Sequence, residues 1–91
     1  MEELATESLY RMKNETLTVH SVYRINEKVL KHYALDLEFK DEIIQLKSLL
    51  KEMMDDYKSF GEYSGALLET HITTSLRILS SMDEKLQNRL L

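Results

Sequence analysis

The chain has 91 residues, with 12 Lys and Arg against 16 Asp and Glu, and so carries a formal net charge of -4. It lacks cysteine, which excludes disulfides, cysteine zinc sites and thiol nucleophiles, and it lacks the basic excess typical of nucleic-acid-binding proteins. Proline is absent and glycine occurs only at Gly61 and Gly65, whereas a β-sandwich or barrel needs turn residues every ~8–12 positions. These counts predict one all-α domain over residues 1–91: a helical hairpin, a coiled coil or a small bundle of two to three helices, completed by oligomerisation.

The first predicted helix covers residues 3–34, where apolar positions are spaced alternately three and four apart, as in a helical seam. The seam comprises Ala5, Leu9, Met12, Thr16, Val19, Tyr23, Asn26, Leu30, Tyr33 and Leu37. Helical spacing also places Arg24, Lys28 and Lys31 on one face of this segment. No nucleic-acid-binding motif accompanies these bases, so nucleic acid is not the expected partner.

The second predicted helix covers residues 40–60 and carries the clearest seam of the chain. Its seven positions are all apolar or aromatic: Phe39, Ile43, Leu46, Leu50, Met53, Tyr57 and Phe60. This seam is out of step with the first, so the phase changes between about Tyr33 and Phe39. Either the helix breaks around residues 34–40, where Asp36 or Asp41 would cap the new helix, or one continuous helix has a drifting buried face. We favour the break.

The third predicted helix covers residues 65–90, after a second interruption at Gly61–Gly65 in which Ser64 is a candidate cap. Its apolar stripe consists of Leu68, Ile72, Leu76, Leu79, Met82, Leu86 and Leu90. Small hydroxyl side chains occupy the opposite face, which predicts a close helical neighbour on more than one side. The second seam and this stripe are the predicted protein interface.

Few residues suggest chemistry. His32 has Asp36 four positions on, which makes one two-ligand pair, whereas His71 has no acidic residue three or four positions away in either direction. The acidic pairs Asp55-Asp56 and Asp83-Glu84 are typical of solvent-facing helix surfaces. We therefore expect no enzyme activity, no catalytic residues, no cofactor and no metal.

The sequence predicts a non-enzymatic scaffold subunit of a multi-protein assembly, binding protein partners in a homo- or hetero-oligomer by coiled-coil packing of helices. The alternative is a small helical chaperone or inhibitor that sequesters an amphipathic helix of a client. No apolar run approaches the ~20 residues of a membrane span. Three acids precede the first base, Arg11, unlike a secretory or mitochondrial signal, so we expect a cytoplasmic or nuclear location.

Overall fold

Four α-helices contain most of the residues that the structure describes, which are residues 3–60 and 65–89, with the backbone alone for residues 58–60. In this computed structural model the helices are α1 (Leu4–Asn14), α2 (Val19–Tyr33), α3 (Lys40–Phe60) and α4 (Gly65–Arg89), with a short 3-10 helix at Leu37–Phe39. No strand occurs within the described ranges, so the all-α prediction is confirmed. The described residues form four α-helices, however, where two or three helices were predicted.

The helices follow an up-down-up-down order, as contacts between their ends indicate. The backbone N–H of Ala5, near the start of α1, donates to the Tyr33 hydroxyl at the end of α2, 3.0 Å away. Lys85, near the end of α4, contacts Glu42 near the start of α3. The last helix, α4, packs against α1, α2 and α3. Its apolar stripe therefore closes a core to which all four helices contribute.

The single helix predicted over residues 3–34 is two helices in the structure. Residues 15–18 leave the helical conformation, and the Thr18 side chain caps α2 by accepting a hydrogen bond from the Ser21 backbone N–H at 3.2 Å. Threonine is β-branched and competes for local backbone hydrogen bonds, which favours a cap over a helix interior. Because Thr16 and Val19 fit the spacing of the seam, the prediction continued the helix through Thr18 and missed its capping signal.

The favoured break at residues 34–40 is present in the structure. The Asp36 carboxylate accepts a hydrogen bond from the Glu38 backbone N–H at 3.1 Å and caps the 3-10 helix, as one of the two predicted candidates. We call residues 34–39 the corner.

The second predicted interruption falls largely on residues 61–64, which lie outside the described residues, as does the candidate cap Ser64. Helix α3 ends at Phe60 and α4 begins at Gly65.

A buried polar pair connects α2 to α4. The Ser75 hydroxyl donates to the Asn26 side-chain oxygen at 2.7 Å, and the Asn26 amide donates to the Val22 carbonyl at 2.8 Å. Both side chains are fully buried. Because a buried polar group without a partner is costly, this pair favours one register between α2 and α4.

A second polar connection joins α3 to α4. The buried Glu42 carboxylate accepts from the Ser81 hydroxyl at 2.7 Å and from the Lys85 ammonium at 2.9 Å. Burial alone would raise the pKa of Glu42, but the hydrogen bonds from Ser81 and Lys85 outweigh it and hold the pKa below its ordinary value of 4.5. Glu42 therefore stabilises the fold in its ionised form.

Ser75→Ala should lower the free energy of unfolding by about 1–3 kcal/mol, because it leaves the buried Asn26 oxygen without its donor. Urea denaturation followed by circular dichroism at 222 nm measures this loss. The matched control is Ser80→Ala on the exposed side of α4, which should change stability by less than about 0.5 kcal/mol. Equal effects of the two substitutions would contradict a stabilising role for the buried pair.

Acidification should destabilise the bundle in a way that depends on Glu42. The folded pKa is lower than the unfolded pKa, so the contribution is fully present above about pH 5 and is lost as the pH falls through the folded value. Glu42→Gln should be less stable than the wild type at pH 7 and should show a shallower decline of unfolding free energy between pH 5 and pH 3. Parallel declines in the two proteins would show that Glu42 is not a main source of the acid sensitivity.

Candidate functional site: the outer face of α2 and α3

The corner displays two leucines to solvent. Leu35 is 96% exposed and Leu37 is 86% exposed, and Ile44 on the first turns of α3 is 57% exposed. The three side chains line one surface recess of about 330 Å³, which Lys40 and Lys47 also border. Leu37 was predicted to continue the first seam, but the break redirects it away from the core. Large apolar side chains clustered in this way are typical of interaction surfaces.

Contacts of Phe39 and of Arg89 hold the corner in place, so Leu35 and Leu37 lie on a turn of fixed conformation. Phe39 is fully buried, and its ring lies 5.0 Å from that of Tyr33 in an edge-to-face arrangement. The Arg89 guanidinium from α4 lies 5.0 Å from the centre of the Phe39 ring and binds Asp36 at 2.9 Å and Glu38 at 2.8 Å. The hydrogen bond from Arg89 lowers the pKa of Asp36.

A second apolar recess lies at the other end of the α2–α3 pair. It has a volume of about 380 Å³, and Met54 and Tyr57, both about half exposed, contribute to its walls. The full lining consists of Val19, His20, Tyr23, Met53, Met54 and Tyr57. Methionine adapts its shape readily to different partners, and tyrosine adds a rigid ring with a polar end.

Side chains of α3 that line the two recesses lie along one side of the helix. Lys40, Lys47 and Met54 are spaced seven residues apart, which keeps them on one side of the helix. The stripe from Lys40 to Met54 is about 21 Å long at 1.5 Å per residue. We call this stripe, with the corner and the side of α2 beside it, the α2–α3 face.

A basic recess lies on the α1 side of α2 and shares His20 with the second apolar recess. This recess of about 560 Å³ between α1 and α2 is lined by Arg11, His20, Ser21, Arg24, Ile25, Glu27, Lys28 and Lys31. Arg11 pairs with Glu15 at 2.9 Å, and Lys31 lies 4.0 Å from Glu27. Within the described part of the chain, Arg24 and Lys28 form no ion pair. The chain, acidic as a whole, therefore has positive charge in the recess between α1 and α2, in addition to Lys40 and Lys47 at the corner recess.

The predicted interface residues lie mostly inside the chain's own core. On α3 and the corner, Phe39, Ile43, Leu46, Leu50 and Met53 are buried. On α4, Leu79, Met82 and Leu86 are buried, while Leu68, Ile72 and Leu76 are partly buried against the core. Tyr57 lies on the α2–α3 face, and the side chains of Phe60 and Leu90 are outside the described residues. Contact of this set with another chain stays a prediction.

One cluster of ionisable side chains joins α3 to α4. The His71 imidazole is buried, and its Nε2 atom lies 3.3 Å from Asp56 Oδ2 and 3.8 Å from Glu52 Oε1. Sequence reasoning missed this cluster because it searched for acidic partners of His71 only along its own helix. The available signal was the pair Glu52 and Asp56, one turn apart on the preceding helix.

Comparisons of the chain with protein-family models, with curated proteins and with solved structures found no match. Among the helices of residues 3–60 and 65–89, none combines the length and the apolar character of a membrane span.

Proposed function

We propose that this protein is a non-enzymatic interaction subunit of a larger assembly, and that it binds a helix of another protein across the α2–α3 face. The observation that supports this proposal most directly is the near-complete exposure of Leu35 and Leu37 on an anchored corner. Burying one leucine side chain contributes about 1.5–3 kcal/mol, so two leucines supply a substantial driving force for association. The anchored corner reduces the conformational entropy that binding would otherwise cost.

The dimensions of the face favour a helical ligand. Its stripe of about 21 Å matches a partner helix of about 14 residues, or four turns. A partner helix of that length would place apolar side chains in both recesses. Its apolar residues, spaced three or four apart, would contact Leu35 and Leu37 at one end and Met54 at the other. This is helix-on-helix packing, as the sequence predicted, but on side chains that the core leaves exposed.

The charges of the face indicate the chemistry of the partner. Lys40 and Lys47 border the corner recess. Arg24 and Lys28 line the neighbouring recess between α1 and α2 and form no ion pair among the described residues. An amphipathic helix with Asp and Glu beside its apolar stripe would complement them. Such complementarity contributes more to association rate and specificity than to affinity, while the apolar contacts supply most of the affinity.

Site-specific photo-crosslinking tests the location and nature of the partner. Leu37 is replaced by the photoreactive amino acid p-benzoylphenylalanine, and crosslinked peptides from a cell extract are identified by mass spectrometry. We expect an acidic, helix-forming segment of another protein. The control carries the same amino acid at Tyr10, which is 66% exposed on α1 and lies outside both recesses. Crosslinks that are no more frequent at position 37 than at position 10, or only to a second copy of this chain, would contradict the proposal.

The double substitution Leu35→Ser/Leu37→Ser should weaken binding of the crosslinked segment, made as a synthetic peptide, by at least about tenfold, because the loss of one buried leucine exceeds 1.4 kcal/mol. Fluorescence anisotropy measures the dissociation constant. The unfolding free energy should change little, since both side chains are already in solvent. The control Tyr10→Ser should bind like the wild type, and an unchanged affinity of the double variant would show that the corner does not contact the partner.

A further inference from the structure

We infer that Glu52, Asp56 and His71 form a binding site for one divalent transition-metal ion, with Zn²⁺ as the ion that fits their donor atoms best. One ligand atom from each of the three residues lies within 4.8 Å of the other two. This inference is independent of the proposed function, because it depends on a different set of residues at the α3–α4 contact.

The distances suit a tetrahedral ion. Zinc binds imidazole nitrogen and carboxylate oxygen at about 2.0–2.2 Å, which places two ligand atoms of one tetrahedral ion ~3.3–3.6 Å apart. His71 Nε2 is 3.3 Å from Asp56 Oδ2 and 3.8 Å from Glu52 Oε1. Small rotations of the Glu52 side chain, which is 58% exposed, would bring the third ligand to the same spacing.

The helices hold the ligands in position. Glu52 and Asp56 are four residues apart and lie on the same side of α3, and the antiparallel α4 brings His71 opposite them. Metal sites inside helical bundles are commonly built from carboxylates and histidines on facing helices in this manner. The imidazole is 1% exposed and fixed by packing, whereas the carboxylates reach solvent. The site therefore has a rigid inner ligand and an open outer side, where water would supply the fourth ligand.

The donor atoms select the class of metal. Mg²⁺ and Ca²⁺ prefer ligand sets made only of oxygen, whereas imidazole nitrogen favours zinc and its first-row neighbours. Two carboxylates and a neutral imidazole carry a charge of -2, which a divalent ion neutralises. A bound ion would thereby connect the C-terminal half of α3 to the N-terminal half of α4. Met53, Met54 and Tyr57, which line the second recess, lie within two residues of the two carboxylates along α3.

Isothermal titration of the full chain, with any affinity tag removed and metal stripped with EDTA, tests the inference with Zn²⁺ itself. We expect one equivalent to bind and the thermal unfolding midpoint to rise. Co²⁺ should give the intense visible absorption of a tetrahedral complex. Glu52→Gln and Asp56→Asn should each weaken Zn²⁺ binding by at least about tenfold. Because Glu52 is largely exposed, its substitution should leave the fold intact.

The matched controls are Asp55→Asn, beside Asp56 and exposed, and His32→Ala, an exposed histidine on α2. Both should bind Zn²⁺ like the wild type. The inference is overturned if the wild type binds no stoichiometric Zn²⁺, or if Glu52→Gln and Asp56→Asn bind it as tightly as the controls. In that case the cluster is a histidine–carboxylate contact that serves packing alone.

Discussion

Burial of the apolar stripe of α4 is the constraint on which the rest of the structure depends. None of the four helices can bury its own apolar side chains, because a single helix has no second layer. The last helix contacts the other three, so its stripe supplies the common surface on which α1, α2 and α3 close. Polar connections to each part of the bundle fix its register, among them Thr6 to Asp83, Asn26 to Ser75, Glu42 to Lys85, and Asp36 to Arg89.

Closure of the bundle determines which apolar side chains stay exposed. The seam of α3 and the stripe of α4 are buried mostly in the chain's own core, so side chains such as Leu46 on α3 and Leu79 on α4, which are fully buried, have no area left for a partner. What remains exposed is the outer side of α2 and α3, where Leu35 and Leu37 are almost entirely in solvent and Ile44 is about half exposed. The two leucines contribute little to the stability of the bundle, and their exposure is the observation behind the proposed contact with a partner helix.

The sequence predicted the helical class and most of the buried positions, because an apolar period of 3.6 depends only on local geometry. It could not decide whether a seam would be covered by the same chain or by another, since both give the same pattern. The loop at residues 15–18 was missed because Thr16 and Val19 fit the seam, although Thr18 carried a capping signal. The contact between His71 and Asp56 needed the antiparallel pairing of two helices, which no spacing along one helix reveals.

The corner and the Glu52–Asp56–His71 cluster lie at opposite ends of the α3–α4 contact and differ in what holds them. At the corner, Arg89 supplies a permanent positive charge that binds Asp36 and Glu38 and covers Phe39, so that end is fixed by groups of the chain itself. At the other end, a buried imidazole faces two carboxylates, an arrangement that a divalent ion would strengthen. The end of the α2–α3 face that carries Leu35 and Leu37 is thus fixed by the fold alone. The other end of the face carries Met54 and Tyr57, which lie beside Glu52 and Asp56 along α3. Occupancy of the proposed metal site would therefore stabilise this part of α3 and, with it, the second recess.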